Sequence, residues 1–333
     1  MHWAATSVAV GSNGNVSPQT LRSARTSDHP LLTTPAIFIL KRNSMTEQGP
    51  NWTLITGSTG AIGGEIVRIL AARGDPLILL NRSEIKAGSQ RDEILSTHPG
   101  AEIELITADL MDSREIADAV DRILALPGRI DALYNNSGVL TGNKVLSAQG
   151  YESHFAVNTL APYQLIRGLR AKMARPADET PAMVVNFSSS AISALKTLEL
   201  ENLANPETVG GLMSTYAQSK LAVTTIVPAL AEDLASDNIL IRAIDPGATK
   251  SAMTTGADNS GMPKVLAWVA PLFFASAGRQ ALKVVDSADP TAFGGRSGNY
   301  IANRKEKKLP RSAADFATQQ KLLKLLDRFL DIS

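Results

Sequence analysis

The feature that most constrains this chain is a regular alternation of two kinds of segment that begins at Trp52. Short apolar runs stand at Trp52–Thr56, Pro76–Leu80, Ile103–Thr107, Ile130–Tyr134, Met183–Phe187 and Ile239–Ile244. Between them lie stretches with a helical period, such as Ile62–Ala72, Ile116–Leu126 and Ala217–Leu234. Runs that are apolar throughout, without the polar alternation of a half-solvated strand, belong to strands covered on both faces. Helices between consecutive strands make right-handed parallel crossovers. The pattern predicts an α/β fold of Rossmann type, a doubly wound parallel sheet with helices on both faces, in a single domain. Asn299–Ala302 is expected to add an edge strand and the segment 315–330 a closing helix, with Leu322, Leu325, Leu326 and Phe329 on one face.

Composition narrows the partners. With 33 basic and 32 acidic side chains in 333 residues, the chain has no overall field to attract nucleic acid, and a small-molecule substrate is the expected partner, with a homo-oligomer left open. There is no cysteine, which excludes disulfides, thiolate catalysis and thiolate-bound metal. His2, His29, His98 and His154 show no ligand spacing, so no metal is expected. The most apolar stretch, Val265–Ala277, is interrupted by Pro271 and falls short of the roughly 20 residues of a spanning helix. No transmembrane segment and a cytoplasmic location are therefore expected. Residues 1–50 are rich in Ser, Thr, Asn and Gly and carry no acid before Asp28. They are expected to be a disordered extension, or a stretch upstream of a start at Met45, ahead of a domain over 51–333; the weak amphipathic period argues against a transit segment.

The first apolar run ends in Thr56-Gly57-Ser58-Thr59-Gly60-Ala61-Ile62-Gly63, and a helical pattern follows at once. Glycines in this place let the backbone turn tightly and approach a pyrophosphate, which rests on the free N–H groups of the helix start. Gly57, Ser58, Thr59, Gly60, Ile62 and Gly63 are accordingly expected at a dinucleotide. The second run ends in Asn81-Arg82-Ser83, where an NAD-binding chain places an acid on the ribose hydroxyls. Arg82 instead offers a guanidinium to a 2′-phosphate, which favours NADP(H) over NAD(H). The alternative is a solvated arginine at a strand end.

Further motifs follow the later runs: Asp109-Leu110, Asn135-Asn136-Ser137-Gly138, Asn158, Ser188-Ser189, Tyr216-Ala217-Gln218-Ser219-Lys220 and Asp245-Pro246-Gly247. With these in order, the chain from about Trp52 to about Ala302 resembles the short-chain dehydrogenase/reductase family, and most of all its retinol-dehydrogenase-like members. The resemblance implies that Asp109 and Asn135 line the adenine and ribose side, with Leu110, Ser137 and Gly138 beside them, and that Pro246, Gly247 and Thr249 border the nicotinamide. Asp109 could instead be a helix cap and Asn135 a turn residue. One departure is Ala61, where compact members of the family carry glycine; Gly60 one place earlier gives a spacing closer to that of sugar-nucleotide epimerases.

Tyr216 and Lys220 lie four residues apart and share a helix face. An ammonium and an oxidised nicotinamide ring both favour the phenolate, which brings the tyrosine toward general acid/base work. Lys220 is also expected to hold the nicotinamide ribose, Ser189 to donate to the substrate oxygen, and Asn158, as the resemblance implies, to retain a water linking Lys220 to solvent. Substrate recognition is assigned to Ile192–Thr215 and to a lid around 251–278. The lid's Met253, Met262, Leu266, Trp268, Leu272, Phe273 and Phe274 suit a hydrophobic substrate, or else a dimer contact. The expected function is an NADP(H)-dependent oxidoreductase interconverting an alcohol and a carbonyl. The alternatives are an epimerase that retains NAD and a non-catalytic NADP(H)-binding regulator.

Overall fold

The apolar runs become neighbours in one sheet. The computed structural model describes residues 45–46, 49–206, 211–247 and 276–331. The expectations for residues 1–44, for Thr249 and for most of the lid lie outside these residues. The strands are β1 (Met45–Thr46), β2 (Gly49–Thr56), β3 (Leu77–Asn81), β4 (Ile103–Thr107), β5 (Arg129–Asn135), β6 (Ala182–Phe187), β7 (Ile239–Asp245), β8 (Asn299–Ala302) and β9 (Lys305–Lys307). The helices are α1 (Ala61–Arg73), α2 (Glu84–Thr97), α3 (Ser113–Ala125), α4 (Ser153–Phe155), α5 (Ala161–Met173), α6 (Gly211–Ala235), α7 (Ala277–Ala288), α8 (Arg311–Ala314) and α9 (Phe316–Phe329). A π-helical turn, Ala156–Leu160, joins α4 to α5.

The sheet order is β4-β3-β2-β5-β6-β7-β8-β9, parallel from β4 through β8. The short β1 and the terminal β9 pair antiparallel with β2 and β8. This is the expected Rossmann-type sheet with one difference. Asn299–Ala302 is not the edge, because the chain reverses through Asn303 and Arg304, both at positive φ (52° and 58°), and lays Lys305–Lys307 outside it. Two successive left-handed residues match the twist of a tight hairpin. The sequence hid it because Gly, the usual residue there, is missing. The new edge is wholly exposed and charged, which discourages pairing with another chain.

Successive residues in each strand point to opposite faces, and both faces are apolar. Leu54, Ile78, Leu80 and Leu133 pack on one side, with Ile166 and Leu169 of α5 and Leu221 and Ile226 of α6. Ile55, Leu77, Leu79 and Val185 pack on the other, with Ile66 and Leu70 of α1 and Val284 of α7. That double cover is why the strands read as unbroken apolar runs. Helix α2 buries only Ala87 and Ile94, so its sequence carries little period. Helix α9 seats Leu322 and Leu326, and its Phe329 ring packs edge-on against Tyr151 and Phe155. Among the described residues no helix is long and apolar enough to cross a membrane.

Going outward from β2, the chain runs to β3 on one side and to β5 on the other. The connections leave in opposite directions at this point, and a crevice opens beyond the carboxyl ends of β2 and β5. Leu133, fully buried in the middle of β5, tests how much the sheet depends on this packing. Leu133→Ala is expected to lower stability by about 2–5 kcal/mol, read as a fall in the urea midpoint with native helix content retained before the transition.

Candidate active site

A cleft of about 640 Å³ occupies that crevice. Its first wall is the turn between β2 and α1. Gly57 there takes φ +64°, and a Cβ on it would come within 2.6 Å of the Ser137 hydroxyl. A Cβ on Gly63 would lie 2.5 Å from the Gly57 carbonyl oxygen, so no larger residue lets the helix start this close to the turn. Helix α1 begins at Gly60 with no side-chain cap and no acid in its first turn. Its N–H groups and positive dipole end are thus left for an anion. Asn136 ties the turn to the end of β5 by donating to the carbonyls of Thr56 (2.8 Å) and Gly57 (3.0 Å). The donor set and the space fit the pyrophosphate of a dinucleotide.

At one end the cleft is lined by Asn81, Arg82, Ser83, Lys86, Asp109 and Leu110. The Arg82 guanidinium stands 3.9 Å from the Asp109 carboxylate and is largely exposed. Asp109 also accepts from the Met111 N–H at 3.0 Å, so it shapes its own turn while facing the cleft; the cap of α3 is Asp112. Asn81 accepts from the Thr59 N–H at 3.3 Å and donates to Ser58 Oγ at 2.8 Å.

Tyr216, Lys220, Ser189, Asp245, Pro246 and Gly247 line the opposite end. Helix α6 runs beneath the ends of β6 and β7 and brings Tyr216 and Lys220 to the same cleft. The Lys220 ammonium donates to the Phe187 carbonyl at 2.8 Å. A Cβ on Gly138 would lie 3.4 Å from the Lys220 Nζ and 3.2 Å from Asn158 Oδ1. Asn158 sits in the π-helical turn, a feature frequent at functional sites. Its amide accepts from the Val139 N–H at 2.8 Å and donates to the Val139 carbonyl at 3.1 Å. The same loop is held again by His154, whose Nε2 faces the Thr141 N–H at 3.0 Å. The other ring nitrogen of His154 lies 2.8 Å from the buried Glu152 carboxylate. Its ring stands edge-on to that of Tyr216, 6.1 Å between centroids.

A profile of the short chain dehydrogenase family matches residues 51–199 and 204–260, more than half of the chain. The chain belongs to this family. The chloroplastic short-chain dehydrogenase TIC 32 A of Brassica napus is 32% identical over 200 residues, covering 58% of this chain and 62% of that protein. Mouse retinol dehydrogenase 12 is 30% identical over 201 residues, covering 60% and 62%. The aligned part thus spans less than two thirds of these relatives' length. Among solved structures, the Pseudomonas aeruginosa RhlG/NADP active-site complex superposes with a TM-score of 0.61 at 23% identity over 76% of this chain and 94% of that one. A short-chain dehydrogenase/reductase from Serratia marcescens gives 0.59 at 20% identity over 79% and 98%. These likenesses show the fold.

Most of the described residues that the family pattern singles out meet in the cleft, and three of them do not line it. Asn135 is buried behind the wall, donating to Asn186 Oδ1 on the neighbouring strand at 2.8 Å. It is still part of the sheet, and the side chain that reaches the glycine turn belongs to Asn136, one residue on. Ser58 is fully buried, donating to Gln90 Oε1 at 2.6 Å. Asn158 acts on the loop from behind, as above. The departure at Ala61 is accommodated, because this residue is exposed at the cleft mouth. Sequence reasoning missed Lys86, Asn136 and Asp245 as lining residues. Lys86 lies four residues after Arg82, on the first turn of α2.

The electrostatics differ from the expectation in one respect. Burial raises the Tyr216 phenol above its ordinary value; the Ser189 hydroxyl pulls it down and the Asp245 carboxylate pushes it up further. Burial is the largest influence on the phenol, and the hydrogen bond of the Lys220 ammonium goes to the Phe187 carbonyl. Burial also lowers Lys220 itself to about 8, against the opposing pull of Asp245. Gly63→Ala is expected to abolish measurable dinucleotide binding, followed by nicotinamide fluorescence, while the circular dichroism spectrum stays native. Binding retained within a factor of two would show that the turn is not the phosphate cradle.

Proposed function

We propose that the protein is an NADP(H)-dependent oxidoreductase that interconverts an alcohol and a carbonyl, with Tyr216 as its general acid/base. The observation that carries this reading is one continuous cleft with an uncapped helix start and Gly57 turn in its wall, Arg82 and Lys86 at one end, and Tyr216, Ser189 and Lys220 at the other. Bound there, the nicotinamide supplies and accepts hydride; the side chains supply orientation and proton transfer. In reduction the Ser189 and Tyr216 hydroxyls hydrogen-bond the carbonyl oxygen, and Tyr216 gives up its proton to it. A phenol raised by burial is protonated at neutral pH and ready to donate. In oxidation the same proton returns to Tyr216. Lys220, held by the Phe187 carbonyl at 2.8 Å, would donate to the ribose hydroxyls. A hydrophobic substrate is the further part of this reading.

Tyr216→Phe is expected to lower kcat by about 10²–10⁴-fold with NADPH binding kept. The check is NADPH consumption against a panel of hydrophobic aldehydes and ketones, and unchanged turnover in that variant removes the mechanism.

The preference for NADP(H) rests on Arg82, followed by Ser83 at the N-cap of α2 and Lys86 on its first turn. No acid stands at the end of β3, where Arg82 and Lys86 both line the cleft; Asp109, 3.9 Å from Arg82, is the acid at this end. The RhlG structure, matched in fold, is a complex with NADP. Charge-assisted hydrogen bonds of about 1.5–3 kcal/mol make the expectation specific. Arg82→Ala should weaken NADPH binding at least tenfold and leave NADH binding unchanged, by fluorescence titration of both; equal losses for the two cofactors contradict the assignment.

A further inference from the structure

Asp245 lies at the catalytic end of the cleft without a role in the reading above, and its surroundings single it out. It closes β7. On the neighbouring strand Phe187 pairs with Ile244, and the Ser188 N–H donates to the Ile244 carbonyl at 3.0 Å. The Phe187 carbonyl is the group that holds the Lys220 ammonium. Asp245 is therefore the next residue beyond the point in the sheet where that ammonium is anchored. Its two oxygens are fixed: one accepts from the Gly247 N–H at 2.8 Å, the other from the Tyr300 hydroxyl at 3.4 Å.

Lys220 is 5% exposed, and a carbonyl dipole is a weak partner for a buried cation. Among the described residues that line the cleft, the acids are Asp109, beside Arg82, and Asp245. We propose that Asp245 is a positioning residue, the half-buried counter-charge that keeps Lys220 an ammonium in the cleft floor. The proposal rests on the proton-transferring reading of Tyr216 and Lys220. It adds that the charge of the catalytic end is set from β7, opposite the helix that carries the pair.

The groups acting on Asp245 come from four elements. Lys220 lies on α6, Lys283 on α7, Tyr300 on β8, and the Gly247 N–H follows β7 itself. Burial raises the Asp245 carboxyl, and the Gly247 N–H, Tyr300 and the two lysines draw it back. Asp245 in turn raises both Lys220 and Tyr216. Removing its charge lowers both, so the proton donor and the ammonium are each lost at lower pH.

Asp245→Asn keeps an oxygen for the Gly247 N–H and removes the charge, its amide nitrogen now facing the Tyr300 hydroxyl oxygen; Asp245→Ser serves if that variant is unfolded, and Asp245→Glu restores the charge. In the cofactor-free protein labelled with [13Cε]lysine, with Lys220→Met to assign the resonance, Lys220 is expected to titrate about one pH unit lower in the Asn variant and to recover with Glu. With saturating NADPH, the alkaline limb of kcat/KM for carbonyl reduction should move the same way. An unmoved Lys220 titration overturns the proposal. The titration needs no turnover, so a shifted Lys220 alongside an active Tyr216→Phe would uphold the counter-charge and reject the tyrosine mechanism.

Discussion

Cover on both faces of a parallel sheet is the constraint from which the rest follows. A strand with Leu54 facing one core and Ile55 the other admits a polar side chain only where it finds a partner, as Arg242 in β7 does on the carbonyls of Ser287 and Asp289, since an unpaired polar group there costs several kcal/mol. Polar residues are displaced to the carboxyl ends of the strands: Thr56 and Gly57, Asn81 and Arg82, Asn135 and Asn136, Ser188 and Ser189, Asp245. Because β3 and β5 leave β2 on opposite sides, these ends surround an open crevice. The hydrophobic effect that assembles the sheet thereby also gathers the site.

The cleft changes character from end to end. Around Arg82, Lys86 and Asp109 it is lined by charged side chains and open to solvent. Lys220 itself is buried, and around it each charge changes its neighbours. Burial disfavours the ammonium of Lys220 and the phenolate of Tyr216 alike. The phenol is thus held in its proton-bearing form, with the ammonium kept by the surrounding oxygens. This is a different balance from the simple picture of a lysine acidifying a tyrosine one turn away.

Behind the cleft stands a second layer that fixes its wall. Asn158, presented by the π-helical turn, grips both backbone groups of Val139, while His154 and the buried Glu152 reach Thr141. Two contacts on one loop limit its motion more than either alone. They join the wall of the cleft to the ring of Tyr216, against which His154 packs.

The sequence by itself determined the class of fold and most of the cleft, because both follow from local rules. Doubly buried strands must be apolar throughout, a tight phosphate turn must have its glycines, and a tyrosine and lysine four apart on a helix must share a face. Those signals survive without knowledge of what lies next to them. Tertiary structure decided what depends on neighbours distant in sequence. It put Asn136 rather than Asn135 at the glycine turn, since whether a residue still lies in the strand sets where its side chain points. It turned the chain back at Asn303 to add β9, through a left-handed angle that Arg304 does not advertise. It set Asp245 beside the anchor of Lys220 by the register of β6 on β7, and so fixed the charge balance of the site, because the electrostatic effect of a buried group depends on desolvation and distance, and neither is written in the order of the residues.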